Sequence, residues 1–229
     1  MTTIYKVNDL YPCIQGEGAL AGTPMVMLRL QECPVGCPFC DTKETWAADP
    51  ADQSIELPDA MGVNPRWAAA TAERIEKEVV RVARGIRWVL VSGGEPLMQD
   101  CTDLTVLLAQ RHGFKMALET SGTAPLSGHW DHITVSPKVG MPGGLGVLHS
   151  VVERADEIKW VVGKQDDLEK LDDFLAAHNR KFDCSVALQP MSLNEKATAL
   201  CEERCLQKGW RLSVQLHKFL HPNWKTASV

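Results

Sequence analysis

Met25-Val26-Met27-Leu28-Arg29-Leu30-Gln31-Glu32-Cys33-Pro34-Val35-Gly36-Cys37-Pro38-Phe39-Cys40 runs from an apolar, strand-like stretch straight into three cysteines within eight residues. The strand reading covers Met25–Gln31 and ends at the cysteines. The same figure recurs down the chain. Trp88–Ser92 runs into Gly93-Gly94-Glu95-Pro96, and Lys115–Glu119 ends at Thr120-Ser121-Gly122. Ile133–Ser136, Glu157–Val162, Cys184–Gln189 and Arg211–Leu216 complete the set. Between these runs lie amphipathic stretches. Thr71–Arg84 carries Ala72, Ile75, Val79 and Val82 at helical spacing, and Asp103–Arg111, Asp166–Ala177 and Asn194–Lys208 are built likewise. Strand and helix alternating at this rhythm predict an α/β fold of βα units around a largely parallel sheet of six or seven strands.

In such a fold ligands sit where strands deliver their C-terminal ends to loops. The cysteines, the Gly93–Pro96 turn, Thr120-Ser121-Gly122, Ser136-Pro137-Lys138 and Gln189-Pro190 all hold that position, so one site is expected to gather them. Two regions break the rhythm. Lys43–Asn64, with Pro50, Pro58 and Gly62, reads as a long loop or insertion. Lys138–Gly146 carries Gly140, Gly143, Gly144 and Gly146 and is mobile or tightly turned. Without an internal repeat or a linker, residues 1–229 are expected to form one domain, with 221–229 as a C-terminal tail.

The chain has 229 residues, 45% hydrophobic and 23% charged, enough for one substantial core. A net charge of −5 makes nucleic acid a poor default partner. No stretch approaches the roughly 18 apolar residues of a membrane span, and the N-terminus lacks a secretory pattern. The expectation is therefore a cytoplasmic protein, where thiols stay reduced and grouped cysteines bind metal or do chemistry. Eight cysteines need explaining.

Cys33, Cys37 and Cys40 let one loop wrap one metal centre, and soft thiolates select zinc, copper(I) or iron–sulfur clusters. Structural zinc takes four closed ligands, and no second pair follows at ribbon distance. Three thiolates on a cubane leave one iron open to an external ligand. Buried free cysteines, or zinc completed by Cys13 or a distant histidine, remain alternatives at this point. Cys201 and Cys205, four apart beside Ala197 and Leu200, read as a buried helix face.

The Cys33-x-x-x-Cys37-x-Phe39-Cys40 pattern resembles the signature of radical S-adenosylmethionine enzymes. The resemblance implies a [4Fe–4S] cluster whose open iron chelates S-adenosylmethionine, and an incomplete, modified (β/α) barrel. Gly93-Gly94-Glu95-Pro96 is similar to that superfamily's methionine-contacting turn. Ile14-Gln15-Gly16-Glu17-Gly18, Arg29, Asp41-Thr42-Lys43, Glu119–Gly122, Ser136–Lys138, Gln189-Pro190 and Gln215–Lys218 extend the likeness to the 7-carboxy-7-deazaguanine synthase family over nearly the whole chain. The long segment between Thr42 and Trp88 resembles the gammaproteobacterial-type members.

That family likeness implies rearrangement of 6-carboxy-5,6,7,8-tetrahydropterin to 7-carboxy-7-deazaguanine with loss of ammonia, aided by Mg2+, in a homodimer fed by a reductant such as flavodoxin. By position it implies that Ile14, Gln15, Gly16, Glu17, Arg29 and Ser92 bind substrate, Ser92 standing where relatives more often have threonine. Gly94, Glu119, Ser136, Pro137, Lys138 and Gln189 would contact S-adenosylmethionine, and Thr42 would hold magnesium. Read bare, Gln15–Gly18 is also a polar turn, Arg29 a strand residue with its head in solvent, and Asp41-Thr42 a capped turn. A glycyl-radical activase would share the cysteines and the glycine turn but has no need of Ile14–Gly18 with Arg29. A zinc-stabilised binding module is the rival from another class.

Overall fold

The computed structural model describes residues 2–57, 67–178 and 184–220. Its strands are β1 (Ile4–Ile14), β2 (Pro24–Leu30), β3 (Gln53–Ser54), β4 (Trp67–Thr71), β5 (Trp88–Gly93), β6 (Lys115–Thr120), β7 (His132–Val135), β8 (Glu157–Val162), β9 (Ser185–Pro190) and β10 (Arg211–Leu212). The helices are α1 (Ala72–Ala83), α2 (Thr102–His112), α3 (His149–Val152), α4 (Gln165–Ala177) and α5 (Glu195–Lys208). All ten strands join one sheet in the order β10-β9-β8-β7-β6-β5-β2-β1-β4-β3. From β10 to β2 every neighbouring pair is parallel, a run of seven strands as the βα rhythm predicts. β1 runs antiparallel between β2 and β4 and carries the sheet three strands further. The sheet stays open, with β10 and β3 at its edges, as an incomplete barrel requires.

The two faces of the sheet divide the side chains by the two-residue period of a strand. Val26, Leu28 and Leu30 on β2, and Val89 and Val91 on β5, pack with Ile75 and Val79 of α1 and Leu104 and Leu108 of α2. Ile158, Trp160 and Val162 on β8 pack with Leu168, Leu171 and Phe174 of α4 and Cys201 and Cys205 of α5. Each fully buried large side chain in these layers contributes about 1.5–3 kcal/mol relative to exposure. The residues between them face the other way: Met27 and Arg29, Leu90 and Ser92, Glu119, Lys159 and Val161. One face of the sheet is thus sealed by helices, and the other opens onto a cavity.

The helix ends follow local chemistry. Thr71 caps α1 by accepting from Arg74 N at 3.3 Å, and Asn194 caps α5 by accepting from Ala197 N at 3.0 Å. Gly113 and Gly209 end α2 and α5 in the left-handed region, both at φ 68°.

Several elements depart from the sequence reading. β1 escapes pattern analysis because its register shifts between Val7 and Asp9, so the buried positions Tyr5, Val7, Asn8, Leu10 and Tyr11 do not alternate. The stretch Arg211–Leu216 supplies only a two-residue strand. It then leaves the sheet, and Leu216 N donates to Gly16 O at 3.0 Å. The long loop over Lys43–Asn64 is, to residue 57, two short 3-10 turns and β3. Glu32 N and Cys33 N donate to Thr45 O and Trp46 O at 2.7 and 3.1 Å, which fastens this segment to the start of the cysteine loop. Residues 58–64 of that segment and the 221–229 tail lie outside the described residues. No described helix is long and apolar enough to cross a membrane.

Candidate active site

The cysteine loop is held by close backbone packing. Glu95 N donates to Glu32 O at 2.8 Å, and Gly143 N donates to Val35 O at 3.1 Å. A Cβ on Gly94 would lie 2.2 Å from Glu32 O, and one on Gly143 would lie 2.0 Å from Pro34 O. Only glycine permits both approaches. The glycine-rich segment Lys138–Gly146 is therefore tightly packed where it meets this loop. All eight cysteines are free thiols, and Cys33, Cys37 and Cys40 open onto the same cavity.

Burial pushes the Cys33 and Cys37 thiols up, while the Val35 and Gly36 amides favour the Cys33 thiolate. Soft thiolates supported by amide donors suit iron–sulfur ligation. Among the described residues no three His, Cys, Asp or Glu side chains gather as one metal ion would need. Three thiolates that hold a cubane bind separate irons and need no such convergence. Cys13 also lines the cavity; Cys101, Cys201 and Cys205 are buried in the helix-covered cores.

The Gly93–Pro96 turn is locked to the next strand by Glu95, which is 1% exposed. Its carboxylate accepts from Thr120 Oγ1 at 2.6 Å, Ser121 N at 2.8 Å, Ser121 Oγ, and Leu97 N at 3.3 Å. Gly93, at φ 138°, and Gly94 run so close to Leu30 and Glu32 that no side chain fits there; Gly94 N donates to Leu30 O at 2.9 Å, and both glycines line the cavity beside Cys33. Ser136 N bonds Thr120 O at 2.7 Å, and Lys138 Nζ folds back onto Ser136 O at 3.0 Å and onto Ser136 Oγ. Burial pulls the Lys138 ammonium down, with Cys37 opposing that shift.

Arg29 and Ser92 are register partners on β2 and β5 and line the cavity together. The guanidinium is hydrogen-bonded to the buried Tyr11 hydroxyl from β1. Burial opposes its charge, yet Tyr11, Asp9 and Asp41 outweigh burial and hold arginine ionised. Burial in turn raises the Tyr11 phenol, with Arg29 offsetting part of the rise. The Thr42 side chain makes no cap bond to the 3-10 turn it precedes, and its hydroxyl lies 3.7 Å from Cys40 Sγ. A capped turn therefore does not account for it.

Across the cavity, Gln15–Gly18 forms part of a closed loop: Gln15 N bonds Thr23 O, and Gly22 N bonds Gln15 O. Gly18 takes φ +66°, where a Cβ would lie 2.2 Å from Glu157 Oε1. Gly18 N donates to Ser213 Oγ at 2.9 Å, and Ser213 Oγ donates to Gln189 Oε1 at 3.3 Å. The carboxylates of Glu17 and Glu119 both meet Lys159, which is 3% exposed. Burial would lower that ammonium; Glu119 and Glu17 together hold it above the usual lysine range.

The cavity, about 430 Å³, thus brings together Ile14, Gln15, Gly16, Glu17, Arg29, Cys33, Cys37, Cys40, Thr42, Ser92, Gly94, Glu119, Ser136, Lys138 and Gln189. Of the residues expected at the site, only Pro137 does not line it; it is buried beside Ser136. Tyr11, Asp41, Lys159 and Gln215 line it and were not among those expected. Lys159 had a readable signal: Glu157 and Lys159 alternate with Ile158, Trp160 and Val162, which marks the cavity face of an otherwise buried strand.

A three-cysteine loop at the end of the first parallel strand, faced by a glycine turn, on an open βα sheet defines a class. A profile of the Radical SAM superfamily matches residues 27–187, and the chain belongs to that superfamily. Its [4Fe–4S] cluster and S-adenosylmethionine come with the membership. Within it the chain belongs to the 7-carboxy-7-deazaguanine synthase family. It is 41% identical over 223 residues to the 7-carboxy-7-deazaguanine synthase of Escherichia coli (strain K12), covering 95% of this chain and 98% of that one. The protein of the same name from Buchnera aphidicola subsp. Schizaphis graminum is 36% identical over 94% of this chain and 98% of its own. The crystal structure of QueE from Escherichia coli superposes with a TM-score of 0.86 at 40% identity, covering 93% and 94% of the two chains.

Proposed function

We propose that this chain, as a single domain over residues 1–229, rearranges 6-carboxy-5,6,7,8-tetrahydropterin to 7-carboxy-7-deazaguanine with loss of ammonia, a step toward queuosine. The observation that carries the reading is that Arg29, Ser92 and the Gln15–Glu17 loop share one cavity with the three cysteines. Cys33, Cys37 and Cys40 would hold the cluster, which together with S-adenosylmethionine would supply radical hydrogen abstraction at C6 of the pterin.

The protein's own part is binding, orientation and exclusion of water. Arg29 pairs its planar fork with the substrate carboxylate, held in place by Tyr11. Backbone groups of Ile14–Gly16 and the Glu17 carboxylate read the pterin's edge of donors and acceptors. The Gly94 backbone receives the methionine end of S-adenosylmethionine, while Ser136, Lys138, Gln189 and Glu119 take its remaining polar groups. Thr42 would hold Mg2+ through its hydroxyl, a hard oxygen of the kind that ion takes, and the ion would supply positive charge beside the substrate carboxylate. A flavodoxin-type protein delivers the electron, and the working unit is a homodimer.

The test is mass spectrometry of anaerobically reconstituted protein supplied with 6-carboxytetrahydropterin, S-adenosylmethionine and reductant, with and without magnesium. Formation of 7-carboxy-7-deazaguanine is expected, and S-adenosylmethionine cleavage without that product would reject the substrate. Cys37→Ala abolishes cluster and turnover together; surviving turnover would reject the radical mechanism. Light scattering on the same preparation checks the dimer.

A further inference from the structure

Lys159 stands at the middle of a closed ring of bonds that no expected site residue explains. Its Nζ lies 2.5 Å from Glu17 Oε2 and also meets Glu119 Oε2. Glu119 Oε1 accepts from Gln15 Nε2 at 2.9 Å, and Gln15 Oε1 accepts from Glu17 N at 3.2 Å. The ring therefore runs from the Glu17 carboxylate through lysine, Glu119 and Gln15 back to the Glu17 backbone. From outside it, Gln215 Nε2 donates to Glu17 Oε1 at 2.9 Å.

We propose that Lys159 is a positioning residue that couples the two halves of the site, setting the pterin-reading loop through Glu17 and the S-adenosylmethionine side through Glu119. The proposal rests on the pterin reading given above and adds to it a residue outside the expected contact set. Two carboxylates turned into one small cavity repel each other and cannot both stay charged without a cation between them. Of the other cavity cations, Arg29 is bonded to Tyr11 and Lys138 to Ser136, and Lys218 also lines the cavity. Lys159 is 3% exposed, so its charge acts in a medium that screens little. Glu157, two residues back on the same strand, acts on the same loop. Its Oε2 accepts from Ala19 N, holding the backbone of the loop whose Glu17 side chain the lysine holds. Strand β8 thereby fixes that loop twice, once by main chain and once by side chain.

Unpairing the half-buried carboxylates by removing their buried shared cation is unfavourable, so the loss is expected in substrate binding and in its pH dependence. The charged groups that face Lys159 are Glu17, Glu119, Glu157 on its own strand and Lys138. In Lys159→Met the pair of carboxylates takes up a proton, and the site recovers only as pH rises.

The experiment compares wild type, Lys159→Met and Lys159→Arg, each reconstituted anaerobically with an equal iron content. Lys159→Met is expected to raise KM for 6-carboxytetrahydropterin at least 10-fold. Its kcat/KM should also gain an acid limb absent from wild type, with Lys159→Arg restoring the pH profile in part. A readout without turnover accompanies it: S-adenosylmethionine binding to the oxidised holoenzyme, by equilibrium dialysis, weakens in Lys159→Met and tightens toward higher pH. Wild-type KM, pH profile and S-adenosylmethionine affinity in Lys159→Met would overturn the proposal, whatever its thermal stability. A wild type that binds S-adenosylmethionine but does not turn over the pterin would instead reject the substrate reading. The binding arm would still decide the role of Lys159.

Discussion

Replacing Glu95 by alanine tests whether the glycine turn is held by its neighbour strand or by its ligand. The Glu95 carboxylate accepts from two backbone amides, Leu97 N and Ser121 N, and two hydroxyls, Thr120 Oγ1 and Ser121 Oγ. The hydroxyls can turn to other partners, Ser121 Oγ already lying 2.8 Å from Thr123 Oγ1. The two amides cannot turn. Each buried donor left without an acceptor costs roughly 1–3 kcal/mol, and the hole left by a side chain 1% exposed adds to that. A total of about 3–5 kcal/mol follows. For a chain of 229 residues one kcal/mol moves Tm by about 2–4 °C, so Glu95→Ala should melt roughly 6–20 °C below wild type. Glu95→Gln keeps one acceptor oxygen but sets an amide donor against Ser121 N, and should lose about half as much. Calorimetry or urea unfolding of the metal-free protein measures both, away from any contribution of the cluster. A Glu95→Ala variant within about 0.5 kcal/mol of wild type would refute the argument that Glu95 braces the turn.

Two further substitutions separate cluster from substrate. Gly94→Ala puts a Cβ 2.2 Å from Glu32 O and 3.1 Å from Cys33 Cβ, so the cysteine loop must shift; iron content per chain and visible absorbance should fall below wild type after identical reconstitution. Arg29→Met removes one charge-assisted contact to the substrate carboxylate, worth about 1.5–3 kcal/mol, so kcat/KM should drop roughly 10- to 150-fold with iron content unchanged.

The parallel half of the fold is legible in the sequence because its strands are buried on both sides and punctuated by glycine and proline. Glu157–Val162 matches its strand to the residue, and Trp88–Ser92 and Lys115–Glu119 match theirs to within one. The antiparallel edge is not legible. In β1 the bulge after Val7 resets the alternation, and Pro12 weakens what is left of the pattern. In β4, Trp67-Ala68-Ala69-Ala70 carries alanines that favour helix over strand, and pairing with Ile4–Val7 on one side and Gln53–Ser54 on the other makes it extended. With β1 hidden, Tyr11 is hidden too, so the sequence pairs Arg29 with substrate and omits the phenol that orients it.

What a strand pattern reveals is which side a residue faces; which residues it meets there depends on sheet order and on chain that returns from far away. The face of Lys159 can be read from its alternation with Ile158 and Trp160. Its partners cannot, since Glu119 is 40 residues away and Glu17 is 142. They converge because β6 and β8 are separated by β7 alone, while the loop after β1 is drawn across the sheet by Glu157, Ser213 and Leu216. The same closure explains why Arg211–Leu216 fails to continue as a strand. Had it stayed in the sheet beside β9, Leu216 N would not reach Gly16 O and Gln215 would not reach Glu17. Local propensity is overridden there by a contact spanning almost the whole chain, and the override falls at the substrate loop, where local and global demands are expected to conflict.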